Sequence, residues 1–392
     1  MKPRLLIVSE RLWPEGGGAE LATHLIIGVL KDYFEVIVVT GTPKPMLHYG
    51  VKYVYTTLLQ VRNKQKLWLN NILLAQCDWF KNLVEKADIV YIPRYSFPII
   101  WFAKKLKKKV IVHLHDYIPI SYTAVILAPA EEHLKTISYD NLSIELTKGL
   151  PHGIGSLALQ WMPKLVRTWL QIADKIICVS KRHYEVVVKG APELATKLTI
   201  AYNPIPKVDY QPPTNLDVGY FGGANPLKGY HILLKAWIKI HRKYRSAKLH
   251  ATMMGHLNSR IRRVLRKIGV ITYGRLLPSE LENLWRGVSI AVVPSIWEEP
   301  APYVVVEALL HGRLLIASRV GGIPEIADGA PGAKFVRPGD VDDLVDALEW
   351  ALSMDRNEVV GLGLGNREHV LKRFDNEHIA RRLIDLFYDV LL

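Results

Sequence analysis

Residues 5–40 read LLIVSERLWPEGGGAELATHLIIGVLKDYFEVIVVT, and this stretch decides the fold. The runs 5–8 and 35–40 are short and rich in Leu, Ile and Val, as buried strands are. Between them the glycines at 16–18 indicate a turn, and a helical pattern begins at about Ala19. Continuous apolar strands that alternate with helices predict a parallel sheet covered by helices on both faces.

The same alternation runs along the whole chain and restarts once. Further strands are predicted at 89–92, 109–113 and 175–179. A proline-rich stretch at 206–213 then interrupts the pattern, because proline fits neither a helix interior nor a central strand. A second set of strands follows at 217–221, 248–254, 270–273, 290–294, 314–318 and 333–336.

The predicted fold class is therefore α/β, with two Rossmann-like domains. A chain of 392 residues suits two domains, since single hydrophobic cores seldom exceed about 250–300 residues. We place an N-terminal domain at 1–205, a linker at 206–213 and a second domain at 214–375. A helix at 376–392 has apolar spacing that suits packing back on the N-terminal domain.

Composition narrows the functional class. Apolar residues make up 49% and charged residues 22%, which excludes a disordered or fibrous chain. Cys77 and Cys178 lack the spacing of a metal or redox pair, and we expect buried thiols. Neither a cleavable signal peptide nor a charge-free run of about 18 apolar residues is evident. We therefore expect a cytoplasmic protein.

The basic charge lies mainly in the N-terminal half. The net charge is +14, and residues 1–205 carry 26 Lys plus Arg against 16 Asp plus Glu, which is +10. This asymmetry favours a polyanionic partner: phosphate-bearing ligands, an anionic membrane surface or nucleic acid. Nucleic acid is the weakest of the three, because no recognition motif accompanies the charge.

Residues 294–308, PSIWEEPAPYVVVEA, carry the strongest functional signal. Proline is tolerated in the first turn of a helix, so the helix should begin near Pro302. Glu299 then precedes the helix and Glu307 lies inside it. Free N–H groups at such a helix start can bind a diphosphate, and two carboxylates can accept hydrogen bonds from sugar hydroxyls.

A cation for the diphosphate is expected in the segment FGGANPLKG at 221–229. There a strand ends in a glycine-rich turn, and the next helix should begin at about Tyr230. Lys228 is our candidate for the phosphate-binding cation. A solvated turn lysine remains the alternative.

The spacing of Glu299 and Glu307, with seven residues between them, resembles the donor signature of family-four retaining glycosyltransferases (glycosyl transferases group 1) of GT-B fold. Other ordered motifs agree with this resemblance over nearly the whole chain. They are GGGAE at 16–20, ADKIICVS at 173–180, YNP at 202–204, MG at 254–255, YG at 273–274 and GGIPEI at 321–326.

The resemblance implies two Rossmann-like domains that face each other across a deep cleft. It further implies that Lys228 binds the donor phosphates, Glu307 the ribose and Glu299 the hydroxyls of the transferred sugar. Retention of anomeric configuration is implied, with no cofactor and no required metal. The donor would bind mainly to 214–375, and the hydroxyl acceptor (a glycan, a lipid-linked sugar or a small molecule) mainly to 1–205.

The candidate site residues follow from these roles. The catalytic candidates are His115, Lys228 and Glu299. The substrate-binding candidates are Gly16, Gly17, Gly18, Gly222, Gly223, Lys228, Tyr273, Gly274, Arg275, Glu299, Ala301, Pro302, Tyr303, Val304 and Glu307. No metal ligands are proposed.

Two departures from the family pattern occur in these segments. Gly223 stands where such enzymes usually have an arginine that supplements the lysine, and Arg275, Arg319 or Arg11 would have to substitute. The segment PAP at 300–302 replaces the usual glycine or serine and phenylalanine, so the sugar cannot be read from the sequence.

His115 is the histidine candidate. His113 and His115 flank Leu114 at the end of a predicted strand, so both point to the same face. The resemblance implies a histidine near this strand end that contacts the transferred sugar or the acceptor, and His115, at the strand tip, is our candidate. A structural histidine at the sheet edge is the alternative, and His113 is expected to be structural.

Two segments mix aromatic, leucine and basic residues and suit an anionic membrane surface. They are 58–83 and 157–170, and the lysines at 104–109 would add positive charge for the same contact. Ordinary domain helices with apolar sides towards the core are the alternative. A peripheral position on the cytoplasmic face of the membrane is therefore one expectation.

Two other functions share the same fold. A nucleotide-sugar epimerase would isomerise the donor without an acceptor. An inactive homologue would bind sugars as a scaffold, which the missing arginine leaves open.

Overall fold

The computed structural model describes residues 2–48, 50–255 and 257–392. The chain forms two compact units, both of α/β type. The first comprises the residues up to Ile126, His133–Ile205 and Asp375–Leu392. The second comprises Leu127–Glu132 and Pro206–Phe374.

The first unit is built on a parallel sheet with the order β3-β2-β1-β4-β5-β6-β7. Its strands are β1 (Arg4–Ser9), β2 (Glu35–Thr40), β3 (Lys52–Tyr55), β4 (Ile89–Ile92), β5 (Lys109–Leu114), β6 (Lys175–Cys178) and β7 (Leu198–Ile200). Leu5 of β1 pairs with Val36 on one side and Ile89 on the other, in register. The predicted strands are confirmed, and the edge strands β3 and β7 were missed because their side chains are largely half-buried or exposed.

Helices cover both faces of this sheet. Up to residue 205 they are α1 (Gly18–Leu30), α2 (Lys64–Leu74), α3 (Asp78–Lys86), α4 (Pro98–Lys105), α6 (Ile137–Leu146), α7 (Leu150–Leu159), α8 (Met162–Gln171) and α9 (Lys181–Gly190), whereas the short helix α5 (Ala130–His133) lies mostly in the second unit. Helix α17 (Asn376–Asp389) completes the unit, since Phe387 packs 6.0 Å from Phe34 and 5.2 Å from Tyr91, centroid to centroid.

The second unit repeats the design with the parallel order β10-β9-β8-β11-β12-β13. Its strands are β8 (Val218–Tyr220), β9 (Leu249–Ala251), β10 (Val270–Thr272), β11 (Ile290–Val293), β12 (Leu314–Ser318) and β13 (Ala333–Val336). Its helices are α10 (Tyr230–Ile240), α11 (Ser259–Lys267), α12 (Pro278–Gly287), α13 (Tyr303–Leu310), α14 (Ile323–Ala327), α15 (Val341–Leu352) and α16 (Arg356–Arg373). The strand order of both sheets reverses beside the first strand, as in Rossmann-like folds.

The proline-rich stretch 206–213 differs from a free linker because it is part of the second unit. Three arginines donate to its backbone carbonyls: Arg367 to Val208 at 2.8 Å, Arg313 to Gln211 at 3.0 Å and Arg356 to Pro213 at 3.1 Å. A stretch that makes few backbone hydrogen bonds of its own is thus held by side chains from α16 and the start of β12.

The segment Leu127–Glu132 also belongs to the second unit, although it lies within the N-terminal half of the sequence. Leu127 forms an antiparallel bridge with Trp297, and the Ala128 N–H donates to the Ile296 carbonyl at 3.1 Å. The Ala130 N–H donates to Glu298 Oε1 at 2.7 Å. No feature of the sequence indicated this pairing.

Candidate functional site

Lys228 and Glu299 form the centre of the site in the second unit. Lys228 Nζ lies 2.7 Å from Glu299 Oε1 and 2.8 Å from Oε2. Glu299 is buried and also accepts from Ser295 Oγ at 2.6 Å and from Trp297 Nε1 at 2.8 Å. Its carboxylate is therefore held in one orientation, while the Lys228 side chain remains 31% exposed and open to a ligand.

The backbone around Glu299 is held by its neighbours. Gly322 N–H donates to the Glu299 carbonyl at 2.7 Å, and Gly321 N–H donates to Glu298 Oε2 at 3.0 Å. Gly321 has φ +55°, and a Cβ there would lie 2.1 Å from the Glu299 carbonyl oxygen. The glycine at 321 thus permits the close approach that positions the backbone of Glu299. Glu298, which the sequence did not single out, ties this turn to Leu127–Glu132.

Helix α13 begins at Tyr303 with Pro302 at its N-cap, as the sequence predicted. Pro302 offers no capping side chain, and the first turn of any helix has N–H groups without helical partners. Ala301 precedes this start, and Val304 lies in its first turn. The start of α13 directly follows Glu299 along the chain, so an anion bound there would lie near Lys228.

Glu307 occupies the second turn of α13 and is only partly exposed. Within the described residues, its carboxylate makes no hydrogen bond. Burial, with a smaller contribution from the negative charge of Glu282, raises the pKa of Glu307 to about 7. A carboxyl group without a partner can accept hydrogen bonds from a diol of a bound ligand.

Met253 lies between the glycine turn at 222–223 and the loop 273–275. A Cβ on Gly223 would lie 3.2 Å from Met253 Cβ, and the Met253 N–H donates to the Gly274 carbonyl at 3.0 Å. Gly223 has φ +69°, a conformation that an arginine side chain rarely adopts. Glycine therefore suits the backbone conformation at this position better than an arginine would.

Tyr273 ends a half-buried chain of polar side chains. Its hydroxyl lies 2.8 Å from His250 Nδ1, and His250 Nε2 lies 3.1 Å from Asp217 Oδ2. This chain fixes the tyrosine ring, whereas Arg275 in the same loop is exposed. Of the other two arginines considered as substitutes, Arg319 is paired with Asp328 at 2.8 Å, and Arg11 belongs to the first unit.

In the first unit, the glycines 16–18 lead into α1 at the carboxyl end of β1. The Gly17 N–H donates to Glu20 Oε2 at 2.8 Å, and Glu20 is in turn paired with Arg94. Arg94 Nε lies 2.8 Å from Glu10 Oε1. This buried Glu10–Arg94–Glu20 network supports the glycine turn, and sequence reasoning missed it because its members lie in three separate segments.

His115 immediately follows β5, and its ring stacks on that of His113 at 4.4 Å, which confirms that the two share a face. His113 is buried, with Nδ1 2.8 Å from the Tyr91 hydroxyl. His115 Nε2 is buried without a hydrogen-bond partner among the described residues. Burial, with smaller contributions from neighbouring His113 and from the charge of Arg94, holds the pKa of His115 well below its usual value, so the ring is neutral at pH 7.

No group of three or more His, Cys, Asp or Glu side chains suited to a metal ion occurs in the described part of the chain. The triplet Asp340-Val341-Asp342 has the spacing of an Asp-x-Asp metal motif, but Asp340 accepts from the N–H groups of Asp342 and Asp343. It therefore serves as the N-cap of α15. In residues 2–48, 50–255 and 257–392, no helix combines the length and apolarity needed to cross a membrane.

Two family models match the chain. Residues 15–207 match the family described as Glycosyltransferase Family 4, and residues 215–354 match the family described as Glycosyl transferases group 1. The two ranges together cover most of the chain, and each lies largely within one of the two units.

Curated relatives match at low identity. An uncharacterized 42.6 kDa protein in the cps region of Klebsiella pneumoniae is 25% identical over 383 residues, covering 90% of this chain and 94% of that protein. The D-inositol 3-phosphate glycosyltransferase of Corynebacterium kroppenstedtii is 26% identical over 185 residues, 44% of this chain and 40% of that enzyme. The alignment with this second relative thus spans less than half of its length.

Solved structures of similar architecture cover nearly the whole chain. Sucrose-phosphate synthase from Thermosynechococcus elongatus has a TM-score of 0.74 at 18% identity and covers 99% of both chains. Anabaena Alr3699/HepE, solved in complex with UDP and glucose, has a TM-score of 0.70 at 16% identity and covers 98% of this chain and 99% of that one. These similarities establish the GT-B fold of two Rossmann-like domains.

Proposed function

This chain belongs to the group 1, family 4 glycosyltransferases, and from that premise we propose that it moves a sugar from a nucleoside diphosphate sugar to a hydroxyl acceptor. We propose further that the transfer retains the anomeric configuration and needs no metal. The observation that carries the proposal is the ion pair of Lys228 with Glu299, since Glu299 lies in the loop that leads into α13.

The donor is proposed to bind the second unit through four groups. Lys228 Nζ is exposed enough to meet the diphosphate, and the Val304 N–H in the first turn of α13 adds a donor for its oxygens. Glu307, which lacks a partner among the described residues, would accept from the ribose hydroxyls. Glu299 would accept from the transferred sugar while it keeps its bonds to Ser295 and Trp297.

The proposed chemistry is electrostatic. As the glycosidic bond to the diphosphate breaks, positive charge develops on the sugar and negative charge on the leaving group. Lys228 and the α13 start are already oriented towards that leaving group, so they stabilise its charge without reorganising. The departing diphosphate can then hold the oxocarbenium ion on the face that the acceptor attacks, which gives retention.

The acceptor is proposed to bind the first unit near the glycine turn 16–18 and His115. Both sit at the carboxyl ends of parallel strands, where ligands bind in open α/β sheets. His115 is neutral, and its Nε2 is unpaired within the described residues, so it can hydrogen-bond a hydroxyl group of the acceptor or of the transferred sugar.

The experiment that tests the proposal is a thermal-shift screen with UDP, GDP, ADP and their common sugar conjugates, followed by transfer assays. UDP-glucose is the first donor to try, because the similar Anabaena protein was solved in complex with UDP and glucose. A ligand that binds only the folded state at a hundred times its Kd should add about 2.7 kcal/mol of stability. NMR of the product then reports the anomeric configuration.

Three outcomes would overturn parts of the proposal. Conversion of the donor alone to an isomeric sugar would indicate an epimerase. Donor binding without turnover on any acceptor would indicate a sugar-binding scaffold. Loss of activity in EDTA that Mg²⁺ restores would refute metal independence.

A further inference from the structure

Lys64, the first residue of α2, carries a charge that no carboxylate neutralises by direct contact. Its ammonium makes no hydrogen bond and no ion pair with any of the described residues, and Nζ lies 4.6 Å from the centroid of the Tyr95 ring. Lys64 is only partly exposed, and its burial lowers the pKa of the side chain. An ammonium that loses water without gaining an anion is unfavourable, so this position suggests an anion that a ligand supplies.

The acids whose charge reaches Lys64 are bonded to other groups. Asp116 accepts a hydrogen bond from the Tyr95 hydroxyl, and Glu10 Oε1 lies 2.8 Å from Arg94 Nε. Both carboxylates favour the Lys64 ammonium through space, but neither forms an ion pair with it. The ammonium is therefore available to an anion from outside the protein.

Two further cations lie near Lys64. Arg94 Cζ lies 5.1 Å from the centroid of the same Tyr95 ring. The positive charges of Arg94 and Lys148 add to the effect of burial and lower the pKa of Lys64 further. Like charges that lie close together repel one another, and an anion bound at Lys64 Nζ would reduce this repulsion.

Lys64 lies beside the proposed acceptor site of the first unit. Tyr95 follows the carboxyl end of β4, and Asp116, which accepts from its hydroxyl, follows His115 directly. Trp68 of α2 donates from Nε1 to the Tyr95 carbonyl at 2.9 Å, which holds the beginning of α2 against this end of the sheet. Lys64, Tyr95 and Asp116 thus form a continuous series of contacts that ends at the residue next to His115.

We propose that Lys64 selects a hydroxyl acceptor whose sugar carries an anionic group, either a carboxylate or a phosphate. The ammonium would bind an oxygen of that group while a hydroxyl of the same sugar meets His115. The cation–π contact with Tyr95 keeps the Lys64 side chain in place for this role. The inference rests on the proposed function, since it names the acceptor class of that same site.

The test compares glucose, glucuronate and glucose 6-phosphate in thermal-shift titrations of the full chain at constant ionic strength, with UDP absent and present. Lys64→Met removes the charge and keeps an unbranched side chain, whereas Lys64→Arg keeps the charge. The matched control is Lys66→Met, which removes an exposed lysine two residues further along the same helix.

We expect stabilisation by glucuronate or by glucose 6-phosphate but not by glucose, and the sugar that acts identifies the anionic group. A hydrogen bond to a charged group contributes about tenfold to a hundredfold in affinity, so Lys64→Met should weaken binding by that factor. Lys64→Arg and Lys66→Met should retain most of it. Without a ligand, Lys64→Met should melt no lower than the wild type, because it removes an unpaired cation.

Four results would overturn the proposal. The first is that the acidic sugars stabilise the protein no more than glucose does, and the second is that their binding persists in Lys64→Met. The third is that their binding is lost in Lys228→Ala instead, which would place the anion at the donor site. The fourth is a clearly lower melting temperature of Lys64→Met, which would give Lys64 a structural role. The response of the wild type to UDP-sugars is measured separately, so its absence would count against the proposed function and not against the anion site at Lys64.

Discussion

Replacing Lys228 with alanine separates the proposed catalytic role of the Lys228–Glu299 pair from its structural role. In the folded chain the ammonium contacts both Glu299 oxygens, at 2.7 and 2.8 Å. Breaking a fully buried ion pair costs about 3–5 kcal/mol. Here the lysine is 31% exposed, and Glu299 keeps its bonds to Ser295 and Trp297. We therefore expect a loss of only about 1–2 kcal/mol in the free energy of unfolding.

The effect on catalysis should be larger than the effect on stability. Removing one preoriented group that stabilises developing charge in a transition state costs about 2.7–4 kcal/mol, which is about 10²–10³ in rate. We thus expect kcat/KM of Lys228→Ala to fall by about that factor, while the melting temperature drops by about 3–6 °C. The assay is initial-rate transfer from the donor found by thermal shift, at a temperature well below both melting transitions.

The control is Lys239→Ala, which removes an exposed lysine of α10 paired with Asp342 on the surface of the second unit. Exposed pairs contribute about 0–1 kcal/mol, so this variant should keep both stability and rate. Wild-type kcat/KM in folded Lys228→Ala would refute the assignment of Lys228 to the leaving group. Activity that falls only in proportion to the unfolded fraction would refute it as well.

Glu307, Gly321 and His115 each allow a further test of the site. The pKa of Glu307 is raised to about 7, so the folded state keeps a proton that the unfolded chain loses above about pH 4.5. The free energy of unfolding should therefore fall as the pH rises from 4.5 to 7. Urea titrations of Glu307→Gln over the same pH range should not show this fall. Donor affinity should rise through pH 7 in the wild type and stay level in Glu307→Gln, if the ionised carboxylate accepts from the ribose; parallel profiles would exclude that role. Gly321→Ala places a Cβ 2.1 Å from the Glu299 carbonyl oxygen at φ +55°, so we expect about 2–4 kcal/mol of destabilisation in calorimetry and weaker donor binding. The control is Gly361→Ala in α16, where a Cβ would meet nothing within 4 Å, and this variant should be neutral or slightly stabilising. His115→Ala should reduce transfer while donor thermal shifts persist, and an unchanged transfer rate would remove His115 from the acceptor side.

The sequence was sufficient wherever a short apolar run forms a central strand. Leu5–Val8 and Ile290–Val293 are buried on both faces, so hydrophobicity alone marks them. The edge strand Lys52–Tyr55 was missed because its side chains meet solvent and carry no such pattern. Helix starts were predictable at Pro302 and near Tyr230 because proline and glycine restrict the backbone locally.

The sequence did not predict the contacts that hold the candidate site together, because they form between segments that are far apart in the chain. Lys228 and Glu299 are 71 residues apart in the sequence. The motif resemblance suggested that both bind the same ligand, but it did not indicate that they form an ion pair with each other. Glu298 gave no signal in the sequence, since Ala130 and Gly321, which donate hydrogen bonds to its carboxylate, lie 168 and 23 residues away. Arg94 was missed for the same reason, because Glu10 and Glu20 meet it only once β1, α1 and β4 are assembled.

The interleaved composition of the two units reverses the usual order in which a growing chain folds. The second unit needs residues 127–132 and 206–374, whereas the first needs 375–392 in addition to its earlier segments. Domains generally fold as units as they leave the ribosome, the N-terminal one first. Here the unit that begins first is completed last, and no single cut yields two intact pieces. A gene truncated before residue 375 should therefore leave the first unit, not the second, without its closing helix and dependent on chaperones.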